Sequence, residues 1–273
     1  MAKETEPSLV PPILDHKQHD EPSVFRPENL LREARRQKGL PRQNVPPICV
    51  LDPDGDIVRH LCKTGGAKPV PHWACYHSTL FSFEREGITF GIVGCGVGAS
   101  YAVLIAEQLF VSGCRFLVSM TSSGQIQGKG PTPYFVLIDK ALRDEGTSYH
   151  YLPPSDYSEA DAELIETIDE SVSRLDLAVH RGSTWTTDAP FRETGSAIER
   201  HRQEGILAVE MEAAALYAFA RVRGKPVVCF AHVTNQMARD SGDFEKGDND
   251  GTTDALKVIL AAARGWRRRT ETA

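Results

Sequence analysis

The chain has 273 residues, 41% of them hydrophobic and 25% charged, which is enough to bury a sizeable core as one large domain or two small ones. A net charge of −6 at pH 7 argues against bulk attraction to nucleic-acid phosphates, and no apolar run reaches the roughly 18 residues needed to cross a bilayer. The six cysteines (Cys49, Cys62, Cys75, Cys95, Cys114 and Cys229) have no zinc-type spacing, so neither a disulfide framework nor a structural metal is expected.

Residues 1–44 read as an N-terminal arm followed by a helix. The arm is polar, acidic and broken by prolines, and it lacks the apolar stretch of a secretory signal, so the expected location is the cytoplasm. The helix begins at Pro27, which suits a first turn, and ends at Gly39 and Pro41. From residue 45 to 273 apolar runs alternate with amphipathic ones. The expected strands are 48–51, 88–93, 115–119, 134–137, 178–185, 206–211 and 226–233, several of them apolar throughout as in a sheet covered on both faces. The expected helices are 100–111, 160–175, 197–203, 212–223 and 251–264. Such alternation predicts a three-layer α/β fold. The basic run from Arg264 to Arg269 reads as a solvated, partly frayed helix end, because cations suit a helix C-terminus.

Three segments combine backbone freedom with polar chemistry. The glycine-rich stretch 94–100 follows a strand and opens a helix, where free N–H groups attract anions. A dinucleotide-binding unit would place an acid about 20 positions later, and none stands at the end of the 115–119 strand. The stretch 52–59 places Gly55 four residues before Arg59, a turn and a guanidinium fork able to hold an oxyanion; a plain turn with a surface arginine fits the same residues. At 209–215 an apolar strand ends in Glu210 and Glu212 before an alanine-rich helix. Acids favour a helix N-terminus electrostatically, and a carboxylate there can also accept hydrogen bonds from two vicinal hydroxyls.

Taken together, these stretches resemble the nucleoside phosphorylase superfamily. Residues 209–220 are similar to its Glu-Met-Glu-Ala segment, 52–61 to its phosphate loop, 94–100 to its glycine-rich turn, and 181–194 to its base-pocket strand and loop. Residues 143–153 resemble the uridine phosphorylase branch in particular. The resemblance covers roughly residues 45 to 265 and implies a three-layer α/β/α sandwich with a mixed, partly barrel-like central sheet, and residues 45–273 as the catalytic domain. It implies cleavage of the N-glycosidic bond of uridine or a related nucleoside by phosphate, giving free base and ribose 1-phosphate. No cofactor or metal is implied, and phosphate is the co-substrate. A homo-oligomer is implied, a dimer or a hexamer built as a trimer of dimers, with no nucleic-acid or membrane partner.

The same resemblance implies site roles. Glu212 would bind the ribose hydroxyls with Met211 against the sugar, and Gly55, Arg59 and Ser122 would bind phosphate. Asn235 would meet the leaving base, as an amide that holds it by hydrogen bonds and cannot act as a general acid. Phe191 and Arg192 would contact the base. Trp185 reads more readily as core, and Arg192 with Glu193 also fits a solvent-facing ion pair. Ser119 departs from the arginine that phosphorolytic relatives carry there; His77 is the preferred substitute donor, with His72 and Arg85 nearby in the sequence. His16 and His19 fit flexible surface residues, or donors to a neighbour's ribose. Two other readings stay open: a nucleosidase using water, which Ser119 favours, and a non-catalytic nucleoside-binding module.

Overall fold

The structure, a computed structural model, describes residues 10–237 and 244–272. The five residues of β1 (Ile48–Asp52) are all buried, as both-face coverage of a parallel strand requires. This strand pairs in parallel with β4 (Ile88–Gly94) on one side and β5 (Phe116–Gln125) on the other. Beyond β4 the sheet runs out through β3 (Phe81–Arg85) to the short edge strand β2 (Ala67–Pro69).

On the other side the sheet curls. β5 pairs with β10 (Val227–Asn235), which pairs with β6 (Tyr134–Asp144), then β8 (Val179–Thr187), then β9 (Ala208–Glu210), and β9 returns to β5. Five strands thus close a ring, and the sheet is mixed and partly barrel-like. β7 (Tyr157–Glu159) hangs on β6.

Helices cover both faces. α3 (Ala99–Val111) and α6 (Ala213–Arg223) share one apolar cluster with Leu117, Val136 and Cys229. α2 (Asp56–Lys63), α4 (Ala162–Val172) and α7 (Thr252–Thr272) share the opposite one with Val118, Leu137 and Phe230. The alternation of Leu117 with Val118 and of Val136 with Leu137 between the two clusters is the period of two that a strand imposes. α5 (Gly195–Gln203) packs Ile198 beside Trp185 and Val209. α1 (Pro27–Lys38) starts at its proline, ends on Gly39 in the left-handed region (φ 64°), and buries Leu31 and Ala34 beside Ala74.

Several boundaries differ from the sequence expectation. β5 runs on past the expected end at 119, through Thr121 to Gln125, because β10 pairs with it as far as Gly124. β2, β3 and β7 were not expected; each is short and partly exposed, and it is held by strand pairing rather than by an apolar pattern of its own. α7 extends eight residues past the expected end and is not frayed: Trp266 is buried and stacks on Phe116 with ring centroids 5.2 Å apart, while Arg269 bonds Asp161 and Glu163. Among the arm histidines, the His19 ring lies 3.1 Å from the Tyr149 carbonyl and His16 pairs with Asp15 within its own chain.

Candidate active site

Two acids two positions apart take opposite parts. β9 ends at Glu210, so the chain turns before Glu212 and the two side chains do not share a strand face. Glu210 is fully satisfied: one oxygen accepts the hydroxyls of Thr184 and Thr186, the other the N–H groups of Glu212 and Ala213, each at 2.7 Å. It closes the open N-terminus of α6, where unpaired N–H groups need an acceptor.

Glu212 is the N-cap residue of that helix and only 1% exposed. Its Oε1 accepts the Gly98 N–H at 2.7 Å and the nearby Thr121 hydroxyl favours its charged form, whereas Oε2 is buried with no hydrogen bond of ordinary geometry among the described residues. Burial first, and then the charge of Glu210, push its pKa up to about 8. A buried carboxyl with an unused oxygen is costly unless something supplies a donor, and vicinal hydroxyls would do so.

The glycine-rich turn joins this carboxyl to the anion loop. Gly98 binds Glu212 at one end of the turn, while at the other the Cys95 N–H donates to the Asp52 carbonyl at 3.2 Å. Gly55 is the N-cap of α2 in the left-handed region (φ 78°), and a Cβ there would lie 2.3 Å from Cys95 Sγ and 2.7 Å from Arg59 Nη1. Only glycine lets the two loops approach so closely. Arg59 and Glu212 therefore lie at one end of the sheet, linked through residues 95–98.

The donors of the anion loop are already engaged. Arg59 Nη2 donates at 2.7 Å to the Asp54 carbonyl and to Asp56 Oδ1, and the Asp56 bond raises the guanidinium pKa. The Ser122 N–H donates to Asp54 Oδ2 at 2.8 Å, and Ser122 Oγ lies 3.0 Å from Thr234 Oγ1. A carboxylate of the chain thus sits on a donor expected for phosphate. Lys246 closes the cluster with a 2.5 Å pair to Asp56. The void among Asp54, Thr121, Ser122 and His232 measures only about 20 Å³, room for about one water and too little for a phosphate ion.

The other expected residues are placed unevenly. Asn235 is buried at the end of β10, with its amide donating to the Ser123 carbonyl at 3.4 Å and accepting the Met237 N–H at 2.9 Å. Met211 is half-buried between the two glutamates. Ser119 is buried and its hydroxyl has no partner among the described residues. The backbone of His77 accepts the Tyr101 hydroxyl at 2.9 Å, but its exposed ring has no hydrogen bond to Arg59 or Ser122 among the described residues. His72 lies 3.2 Å from the Asn44 carbonyl, and Arg85 is at the end of β3, which pairs with β4 and β2. Phe191 is 99% exposed on a short turn with Arg192, and no Arg192–Glu193 ion pair forms among the described residues. Trp185 is core: it is buried, donates to Asp144 at 2.9 Å and packs on His201.

Sequence reasoning passed over Asp52, Asp54, Thr234 and His232. Asp52 is buried, accepts the Val58 N–H at 2.9 Å, and burial raises its pKa to about 7. His232 stacks on Phe135, and burial lowers its pKa to about 4. The double acid around Gly55 was the one available signal, since two carboxylates flanking an anion-binding glycine are electrostatically anomalous.

The chain is 24% identical to a uridine phosphorylase of Thermococcus kodakarensis, over 80% of this chain and 87% of that protein. It is 26% identical to a DeoD-type purine nucleoside phosphorylase of Hahella chejuensis, over 78% and 92%. A guanosine phosphorylase of Halorubrum lacusprofundi matches at 24% over 67% and 79%. The fold is similar to the crystal structure of uridine phosphorylase from Vibrio fischeri, with a TM-score of 0.66 at 21% identity, over 82% of this chain and 90% of that one. The model of the phosphorylase superfamily matches residues 47–264, and the chain belongs to that superfamily.

Proposed function

We propose that the protein cleaves the N-glycosidic bond of uridine or a related nucleoside with phosphate, releasing free base and ribose 1-phosphate. The observation that carries this reading is the buried Glu212 carboxyl, with one oxygen on the Gly98 N–H and the other unused, joined by the glycine-rich turn to the Gly55/Arg59 loop. Ionised, Glu212 accepts both ribose hydroxyls and fixes the sugar. Phosphate held at Arg59 and Ser122 then lies on the face of C1′ opposite the base. As the C1′–N bond lengthens, its electron pair leaves with the base and positive charge grows on the ribosyl ring. A phosphate oxygen donates a pair to C1′ and forms the new bond. Fixed charges placed before the reaction begins stabilise that state without reorganisation. Asn235 binds the departing base and supplies no proton.

The relatives act, by name, on uridine, purine nucleosides and guanosine, and their identities of 24–26% support the reaction class more than the base. The oligomer, the cytoplasmic location and the base contacts of Phe191 and Arg192 belong to this same proposal. Among the described residues no helix is long and apolar enough to cross a membrane.

A second reading, hydrolysis, is favoured by two specific observations: Ser119 brings no positive charge, and the Asp54 carboxylate sits on the Ser122 N–H, where it could take a proton from water. A panel of nucleosides assayed for free base with and without phosphate separates the two. Phosphate-dependent release with ribose 1-phosphate as product is the expected result, and equal release in phosphate-free buffer assigns the nucleophile to water.

A further inference from the structure

A large groove among the described residues lies away from Glu212. It measures about 780 Å³ and is formed where α1 and its flanks meet the C-terminal ends of α3 and α6. Residues outside the family-matched span build one wall, and family-matched residues build the other. Six cations line it: Arg26, Arg32, Arg35 and Arg42 from the first wall, Arg223 and Lys225 from the second. Only two carboxylates, Glu28 and Glu107, accompany them. In a protein of net charge −6 this is a local reversal of sign.

The acids do not neutralise the groove. Glu107 is taken up by Arg223 Nε at 2.9 Å and by the Tyr151 hydroxyl at 3.0 Å. Arg32 leans outward onto Glu33. Arg26, Arg35, Arg42 and Lys225 have no carboxylate partner among the described residues, and Arg35 Nε is buried with no acceptor at all. Burial and the neighbouring Arg42 charge both disfavour the charged form of Arg35. The negative ends of α3 and α6 point here and amount to about one elementary charge; together with the Glu28 carboxylate that is about two, too little to balance four cations. Gathering guanidinium groups at this density without counter-charge costs stability. An anion with several oxygens would offset that cost through bidentate hydrogen bonds.

We propose that this groove is a binding site for an oligophosphate anion, a di- or triphosphate either free or carried by a nucleotide. A volume near 780 Å³ is more than a single phosphate fills and suits a nucleotide-sized ligand. The site is placed to reach the other end of the fold. α3 begins at Gly98, which binds Glu212, and ends at Phe110 and Val111 in the groove; α6 begins at Glu212 and ends at Arg223. Both helices that hold the sugar-site carboxyl therefore end on the anion.

The test uses the full chain and titration calorimetry with tripolyphosphate, ATP and inorganic phosphate. Tripolyphosphate is expected to bind one per chain, at least tenfold more weakly in an Arg35→Ala/Arg42→Ala variant that melts like the parent, and unchanged in Arg59→Ala, whose anion loop is disabled. Equal binding of ATP and tripolyphosphate assigns the recognition to the phosphates, and tighter binding of ATP assigns it to a nucleotide. Absence of tripolyphosphate binding overturns the proposal, as does loss in Arg59→Ala with retention in the double variant. A change of assembly state in the double variant without oligophosphate binding to the parent makes the groove a protein contact and also overturns it. Binding is read directly, so the result does not depend on which nucleoside the enzyme cleaves.

Discussion

The Ser122 N–H and the Asp54 carboxylate, 68 positions apart in the chain, meet at 2.8 Å in the place expected for phosphate. In the proposed reaction, phosphate displaces that carboxylate and its negative charge. Replacing Asp54 with Ala frees the donor and removes the repulsion. The KM for phosphate is expected to fall about five- to tenfold, equivalent to ~1–1.4 kcal/mol, with kcat little changed. Initial rates over a phosphate series check this. A rise in KM would show that the carboxylate helps the nucleophile instead of excluding it.

In the proposed reaction Glu212 must be ionised to accept two hydroxyls, and its pKa in the free protein is raised to about 8. Because kcat/KM reports ionisations of the free enzyme, it is expected to climb with pH and level off above about 8. Glu212→Ala abolishes turnover while the fold persists. Glu212→Gln removes the rising limb along with most of the activity. The stability sign is opposite: a carboxyl raised from 4.5 in the unfolded chain keeps its proton in the folded one, so its contribution is full below pH 4.5 and is lost as pH rises to about 8. Glu212→Gln should therefore melt higher than the parent at pH 8 by a margin that vanishes at pH 4. Near-normal activity in a well-folded Glu212→Ala protein counts decisively against the site.

Glu210 behaves as a structural residue. Its four partners are two hydroxyls and two N–H groups at the start of α6, all buried. Glu210→Ala leaves them without an acceptor and is expected to cost about 3 kcal/mol or more in a denaturant titration. Ligand binding should then weaken only as far as the fold does. A stable but inactive Glu210→Ala protein would move Glu210 into the chemistry.

In the proposed reaction Asn235 holds the base without donating a proton, so its removal should matter in proportion to how poorly the base leaves. Asn235→Ala is expected to lower kcat by about tenfold to a hundredfold on an ordinary nucleoside. The loss should shrink on one whose base carries an electron-withdrawing substituent. Equal losses on both substrates would place Asn235 in binding alone.

The sequence by itself determined the α/β class, the strands whose both-face burial makes them apolar throughout, and the order of the anion loop, glycine-rich turn and Glu-Met-Glu segment. These signals are local: strand period, helix caps and glycine spacing are set by neighbours along the chain. Tertiary structure decided the rest. The closure of β5, β10, β6, β8 and β9 into a ring, the extension of β5 through Thr121, and the persistence of α7 beyond residue 264 all arise from pairing or packing between distant segments. So does the division of labour between Glu210 and Glu212, since only the folded chain brings Thr184 and Thr186 to one carboxylate and Gly98 to the other. Asp54 on Ser122 and the arginine groove beneath α1 are of the same kind, because charge accumulates there through contacts that no local pattern records.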